Sequence, residues 1–204
     1  MNDLTSQVRN FALREGADLV GIAPVARFRE APVGRKPEDL LPNAQSVVVL
    51  AKRIPKGIVE TIPSPYYQKI GYVDLNLLLS TLAYNVARFL EEHGYNALPV
   101  MSSIAPQFRY HEIIQEKPEP KVKIWGDFSH RHAAVEAGLG EIGANSLFIS
   151  PKFGPRVRLT SIISTAPLKP DIKLSEKVCV PKECGLICVK TCPAKALKGD
   201  GSVD

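Results

Sequence analysis

Cys179, Cys184, Cys188 and Cys192 are the four cysteines of this 204-residue chain, and they stand at the spacing C-x4-C-x3-C-x3-C. Thiols this close together are too crowded to staple a domain of this size as disulfides. They read as a metal or cluster site kept in a reducing compartment. Thiolate sulfur is a soft ligand, and short loops let one peptide reach several corners of an iron–sulfur cubane. Structural zinc also takes four cysteines, but its usual arrangement is two close pairs parted by a longer loop. A set of free buried thiols is the third reading, and their clustering speaks against it.

The peptide after the last cysteine adds to this. Pro193 follows Cys192, and the chain continues Ala194-Lys195-Ala196-Leu197. This ending is similar to the close of the ferredoxin run C-x2-C-x2-C-x3-C-P, although the first two spacings here are longer. In two-cluster ferredoxins the fourth cysteine of a run serves the other cluster. On that rule Cys179, Cys184 and Cys188 hold one cluster and Cys192 serves a second. Residues 199–204, Gly-Asp-Gly-Ser-Val-Asp, read as a hairpin leading toward a further cysteine run. The cysteine segment is therefore expected to be an incomplete, truncated or short form.

A second group of residues lies upstream. Gly138, Gly140 and Gly143 spell G-x-G-x-x-G. A dinucleotide fingerprint needs a strand before this pattern and a helix after it. Here a helix precedes and a strand follows, so a nicotinamide site is not expected. The glycines serve either a helix stop with positive φ or the close approach of backbone to a bulky cofactor, with Asn145 and Ser146 as hydrogen-bond donors. Arg156 and Arg158 alternate on a strand and share one face, where they can meet a phosphate or carboxylate or form surface ion pairs. His130 and His132 point to different faces of a helix and cannot chelate one ion together. Each is expected to be a cap or surface residue. Tyr110, His111, Trp125 and Asp127 lie near the entry to that helix and are candidates to face a pocket.

The elements that carry these residues follow from periodicity. Leu4, Val8, Phe11 and Ala12 predict a helix over 3–15, with Asp3 as cap and Gly16 as stop. Residues 19–22 and 46–50 are strands, the second apolar throughout and hence central. Residues 29–42 and 55–65 read as loops. Leu75, Leu78, Leu79, Leu82, Val86, Phe89 and Leu90 make the stripe of a long helix over 75–93. A strand over 96–101 follows, then a long loop over 102–124. Ser129 caps a helix over 130–137, and strands fall at 147–149 and 158–164. The alternation gives an α/β or α+β body over 1–168 and a cysteine appendage over 169–204. Apolar residues are 45% and charged residues 23%, ordinary for a globular chain. Disorder, collagen and coiled coil are excluded as overall descriptions, and no apolar run approaches the ~18 residues of a membrane span. The formal charge of +5 is scattered and does not by itself argue for a nucleic-acid partner. The acidic Asp3 and the absence of an apolar leader core or twin-arginine motif point to the cytoplasm.

The stretch 129–164, SHRHAAVEAGLGEIGANSLFISPKFGPRVRLTSIIS, resembles the core of the epoxyqueuosine reductase-like iron–sulfur proteins, relatives of the reductive dehalogenases. Residues 16–28 (GADLVGIAPVARF), 37–50 (PEDLLPNAQSVVVL) and 82–100 (LAYNVARFLEEHGYNALPV) resemble that family too. The AGLGEIG turn followed by FGPRVRL is the most specific part. The likeness is to the broad anaerobe-type branch. The wording before the glycine turn departs from that of epoxyqueuosine reductases, and Asp127 is the nearest match to their acid.

The resemblance implies a nitroreductase-like cofactor domain followed by a ferredoxin-like segment with [4Fe-4S] clusters. It also implies a corrinoid (cobalamin) that the clusters supply with electrons for a two-electron reduction. On that reading Cys179, Cys184, Cys188 and Cys192 bind the cluster. Gly138, Gly140, Gly143, Asn145, Ser146, Arg156 and Arg158 line the cofactor pocket, and Tyr110 or Asp127 supplies the proton. The expected partners are a small-molecule or modified-nucleoside substrate and an electron donor such as a ferredoxin or flavodoxin, with no membrane and with a homodimer as the assembly to look for. The alternatives are an iron–sulfur electron-transfer or binding protein without catalysis of its own, and a flavin-dependent reductase.

Overall fold

Asp3 closes the first turn of helix α1 (Leu4–Arg14) by accepting the Ser6 N–H, and Gly16 ends it at φ +100°. These are the first elements of a computed structural model that describes residues 3–102, 110–114 and 121–204, with side chains over 3–102 and 126–204. Strands β1 (Leu19–Pro24), β2 (Ser46–Arg53), β3 (Ala97–Val100) and β8 (Val157–Ser164) form an antiparallel sheet in the order β1-β2-β8-β3. The apolar run predicted to be central is β2, paired on both sides and buried over its first six residues.

The sheet is a middle layer. Val20, Ile22, Val48, Leu50 and Ile162 turn to one side and pack with Val8 and Ala12 of α1 and with Leu79, Leu82, Val86 and Leu90 of helix α4 (Leu75–Glu92). The residues between them, Ala23, Val47, Val49 and Ile163, turn to the other side. There they meet Ala133, Ala134 and Ala137 around helix α5 (His130–Glu136), together with Phe28, Phe128 and Phe148. The alternation of side chains along a strand gives each sheet face its own core.

Several expectations are corrected. Residues 29–42 contain helix α2 (Pro37–Leu40) and residues 55–65 contain α3 (Lys56–Glu60). In α2 proline occupies the first helical turn, where its missing N–H costs nothing, and the Asp39 carboxylate accepts the Lys36 N–H. Leu78 is not part of the α4 stripe: it is 55% exposed, while Leu75, Leu79, Leu82, Val86 and Leu90 are buried. A π-helical segment (Tyr67–Asp74) runs directly into α4. Within the predicted long loop, strands β4 (Tyr110–Ile114) and β5 (Lys121–Trp125) pair antiparallel, and residues 103–109 and 115–120 lie outside the described residues. Strands β6 (Glu141–Ile142) and β7 (Phe148–Ile149) pair across the glycine turn. In the cysteine segment, helices α6 (Pro181–Cys184) and α7 (Ile187–Lys190) are single turns, and Leu197 bridges Val203 in the expected terminal hairpin. Among the described residues no helix is long and apolar enough to cross a membrane.

The connection out of the body is stitched to the open edge of β1. Asp171 N–H donates to Ile22 O at 2.9 Å, and Ile22 N–H donates back to the Asp171 carboxylate at 2.8 Å. Arg9 grips the same carboxylate through both oxygens at 2.8 Å and donates to Val20 O at 2.7 Å. One step earlier, Lys169 pairs with Asp3 at 2.7 Å. That contact and the Ser6 N–H hold the Asp3 carboxyl down at about 2. The edge that β1 would otherwise present to solvent is thereby covered by the chain's own linker.

Leu79→Ala opens a cavity between α4 and the sheet and is expected to cost about 2–5 kcal/mol in a urea unfolding curve. Leu78→Ala, on the exposed side of the same turn, should stay within about 0.5 kcal/mol. A reversed order would refute the assigned face of α4.

Candidate functional site

The glycine turn and the cysteine segment, separated in sequence, are brought together. Strand β6 presents Glu141, whose Oε1 accepts the N–H of Val178 at 2.6 Å and the N–H of Cys179. The Ala144 N–H donates to Cys179 Sγ at 3.4 Å. Gly201, in the terminal hairpin, lies so close to the same turn that an added Cβ would stand 3.4 Å from Ile142 and 3.5 Å from Gly143 O. Glu141, Asp171, Arg9 and Arg27 were not legible as site residues. Glu141 occupies an unremarkable position inside the glycine pattern, and the others act across long sequence separations.

The glycines have a specific steric reason. Gly138 has φ +73°, and a Cβ there would fall 2.2 Å from Ile172 O. A Cβ at Gly140 would fall 2.1 Å from Ile149 O, and one at Gly143 would fall 2.3 Å from Ile149 Cδ1. The close approach that these residues permit is therefore to the chain's own linker and to β7. Ser146 adopts φ +62°, and Arg131 caps it by donating to its carbonyl and to its hydroxyl. Asn145 turns its oxygen inward, where Oδ1 accepts the Leu147 N–H at 3.1 Å. Among the described residues, two cavities lie away from this turn. One, of about 290 Å³, is lined by Arg53, Pro55, Lys56, Phe153 and Arg156, and the other, of about 590 Å³, by Gln7, Asn10, Leu13, Arg14 and Phe89. Neither touches the glycine turn.

All four cysteines are free thiols; Cys184 is exposed and the other three are half-buried. The Cys192 thiol is pulled below its ordinary range chiefly by the Ala196 backbone N–H, with Leu197, Ala194 and Lys195 adding to it. Backbone N–H groups directed at sulfur favour the thiolate, the form that ligates iron. The donor set and its surroundings thus fit an iron–sulfur cluster. Among the described residues no three His, Cys, Asp or Glu side chains close around a single metal ion. The thiolates of a cubane each take a different iron and stand farther apart than ligands sharing one ion. The described residues around the glycine turn do not fit a corrinoid in the same way, because Ile149 and Ile172 fill the space beside it.

The remaining predicted residues are placed as follows. Asp127 pairs with Arg35 at 2.9 Å, which ties the entry of α5 to the loop before α2. Tyr110 is on β4, and its side chain lies outside the described residues, as do those of His111 and Trp125. Arg156 donates to Ile54 O at 3.0 Å just before β8, and Arg158 in β8 donates to Asn76 Oδ1 at 3.1 Å. His130 is not the cap or surface residue expected. Its Nε2 meets Met101 O and its Nδ1 meets the Ser161 hydroxyl, both at 2.9 Å. A carbonyl accepts only, so Nε2 carries the proton and Nδ1 accepts from Ser161. Burial pushes the His130 pKa below its ordinary value, against the opposing Met101 contact, and the Arg158 charge pushes it the same way.

Once this geometry is in view, comparison with known proteins defines the class. No family model matches the chain. An epoxyqueuosine reductase solved with an epoxyqueuosine-modified tRNA stem loop superposes with a TM-score of 0.69 at 20% identity, covering 98% of this chain and 54% of its own. A reductive dehalogenase whose structure suggested a mechanism for B12-dependent dehalogenation superposes at 0.58 and 16% identity, covering 99% of this chain and 24% of its own. The fold is the one these two groups of enzymes share. In sequence, a tetrachloroethene reductive dehalogenase of Sulfurospirillum multivorans is 24% identical over 235 residues, covering 96% of this chain and 40% of its own length. An epoxyqueuosine reductase of Prochlorococcus marinus is 29% identical over 216 residues, covering 96% of this chain and 63% of its own. Sequence and fold together relate the chain to the epoxyqueuosine reductases and reductive dehalogenases, a family of reductases. The chain spans less than two thirds of the length of either relative.

Two outcomes follow from the local geometry. Glu141→Ala removes the acceptor that two N–H groups share, and limited proteolysis within 173–179 should quicken by about tenfold or more while the sheet melts as before. Glu141→Gln, which keeps a carbonyl oxygen, should fall between; an unchanged cleavage rate for the alanine variant would show that Glu141 does not hold the segment. Below about pH 6.5 the unfolded chain takes up a proton that folded His130 resists, so folding stability declines as the pH drops from 7 toward 5. His132, also depressed chiefly by burial, adds to the slope, and His130→Gln should flatten but not abolish it in denaturant titrations at successive pH values.

Proposed function

We propose that this chain is the core of an iron–sulfur reductase of the epoxyqueuosine reductase and reductive dehalogenase type. Residues 1–168 form a nitroreductase-like body and residues 169–204 a ferredoxin-like segment. The observation that carries the proposal is the docking of Cys179 on the glycine turn, through Glu141 Oε1 and the Ala144 N–H. It fixes the first ligand of the cysteine run against the body rather than leaving the run on a free tail. Cys179, Cys184, Cys188 and Cys192 are the proposed ligands of a [4Fe-4S] cluster, which when bound supplies one-electron transfer.

This chain's own residues then have defined tasks. The Ala144 N–H and the N–H groups from Ala194 to Leu197 direct partial positive charge at sulfur, which stabilises electron-rich thiolate. Asp171 and Glu141 fix the length of linker between body and cluster segment. Tyr110 is the proton donor we carry forward, because Asp127 is committed to Arg35. Kinship with a dehalogenase described as B12-dependent extends the proposal to a corrinoid. Ile149 and Ile172 fill the space beside Gly138, Gly140 and Gly143, so these glycines are not its seat. The substrate class is a small molecule or modified nucleoside, the electron source is a ferredoxin- or flavodoxin-like donor, and the four free thiols suit the reducing cytoplasm.

Anaerobic reconstitution with iron and sulfide is expected to give a broad visible absorbance and about four iron and four sulfide per chain. Cys192→Ser should lower that loading. Zinc in place of iron in anaerobically purified protein would overturn the cluster assignment. In the same preparation, a shift of the corrinoid spectrum on adding cobalamin supports the corrinoid part, and an unshifted spectrum removes that part alone.

A further inference from the structure

The arginines of this protein divide into two kinds. Arg9 holds Val20 O and the Asp171 carboxylate, Arg27 the carbonyls of Glu136 and Asp171, Arg35 the Asp127 carboxylate and Arg131 the carbonyl and hydroxyl of Ser146, each through at least one terminal nitrogen. Each of these tethers one segment to another. Arg158 does not. It is half-buried, gives Nε to Asn76 Oδ1 at 3.1 Å, and lies over the Tyr72 ring at 4.3 Å from the centroid. Among the described residues its two terminal nitrogens donate no hydrogen bond, and neither Arg158 nor Arg156 has a carboxylate within ion-pair distance.

The surroundings hold this guanidinium in one pose. Asn76 is 5% exposed, and its carbonyl accepts from the hydroxyls of Ser80 at 2.9 Å and Ser102 at 2.8 Å, which contact each other at 2.7 Å. Tyr72 belongs to the π-helical segment that leads into α4, a type of distortion often found at functional sites. Arg156 lies two residues before Arg158 in extended chain, and Lys52 stands opposite Arg158 across the ladder. Among the described residues the local charge is therefore positive. A half-buried guanidinium that is stacked and fixed through Nε loses hydration at its two terminal nitrogens, which have no partner among the described residues. That outer edge matches two oxygens of one planar or tetrahedral oxyanion.

We propose that Arg158 is an oxyanion seat. It takes the carboxylate or phosphate group of a soluble ligand end-on through its two terminal nitrogens, with Tyr72 as its floor and Arg156 adding a second positive charge. The seat lies at the opening of β8 and uses none of the cysteines, so it is tested on metal-free protein and stands or falls independently of the cluster.

The test is a titration with inorganic phosphate and, separately, with acetate, at ionic strength held constant with sodium chloride, followed by NMR at the Arg158 Nε–H and the His130 ring. A saturable shift of both signals is expected with at least one probe. Phosphate alone assigns a phosphate ester, acetate alone a carboxylate, and both a general oxyanion seat. Arg158→Gln should weaken binding by about tenfold or more. Arg158→Lys, which keeps the charge but loses the two-pronged edge, should also weaken it, and Arg88→Gln, on the surface beside Glu92, should not. Absence of saturable shifts in the parent protein, or equal affinity in Arg158→Lys, would overturn the seat; the lysine variant decides the matter if the glutamine variant does not fold.

Discussion

The structure depends on one constraint: the peptide that leaves the sheet must be held along β1 before it can deliver cysteines anywhere. Asp171 does this with both its backbone and its carboxylate. It pairs with Ile22 as an extra edge residue would, and one terminal nitrogen of Arg9 from α1 reaches both of its oxygens while the other holds Val20 O. The two-nitrogen grip on β1 and the carboxylate together fixes orientation as well as distance. Arg27 adds the Asp171 and Glu136 carbonyls to the same knot, and Lys173 closes on the Glu136 side chain. Removing this clasp would leave an exposed strand edge and a cysteine segment with a long free tether.

The glycine turn is shaped by what passes over it. Ile172 follows Asp171 directly, and its carbonyl occupies the space that a side chain at Gly138 would need. Ile149 does the same at Gly140 and Gly143 from the β7 side. The turn can therefore bend tightly, expose the Ala144 N–H and project Glu141 at the arriving backbone of Val178 and Cys179. A pattern that in isolation suggests a place for a cofactor is here a place where three pieces of one chain cross.

The sheet separates two polar environments. On one side, His130 is locked between Ser161 and Met101, a neutral ring used as a spacer between α5 and the β3–β8 end of the sheet. Around Arg158, among the described residues, positive charge is concentrated, and His130, whose proton affinity is lowered chiefly by its own burial, feels that charge as a smaller push the same way. The contrast among the arginines is a matter of partner geometry: each tethering guanidinium meets a carbonyl or carboxylate through a terminal nitrogen, and among the described residues Arg158 meets an amide oxygen through Nε and a ring face.

Local information in the chain determined the elements whose burial is one-sided and strong. Asp3 and Gly16 bounded α1, the unbroken apolar run of β2 marked the centre of the sheet, and Ser129 capped α5, because caps and periodicity act within a few residues. The short helices at Pro37 and Lys56 escaped, since proline signals a turn and a helix start alike. The exposure of Leu78 escaped because a stripe four residues wide does not say which rim faces solvent. The crowding of four cysteines before Pro193 pointed to the cluster chemistry that we propose. Only the tertiary structure decided that this segment docks on the glycine turn, that the turn's glycines yield to Ile149 and Ile172, and that Asp127 is bound by Arg35 while Arg158 is left open. Apart from the Ile149 contacts, those outcomes depend on residues tens of positions apart, and contacts at that range are fixed by how layers pack, which no local spacing encodes.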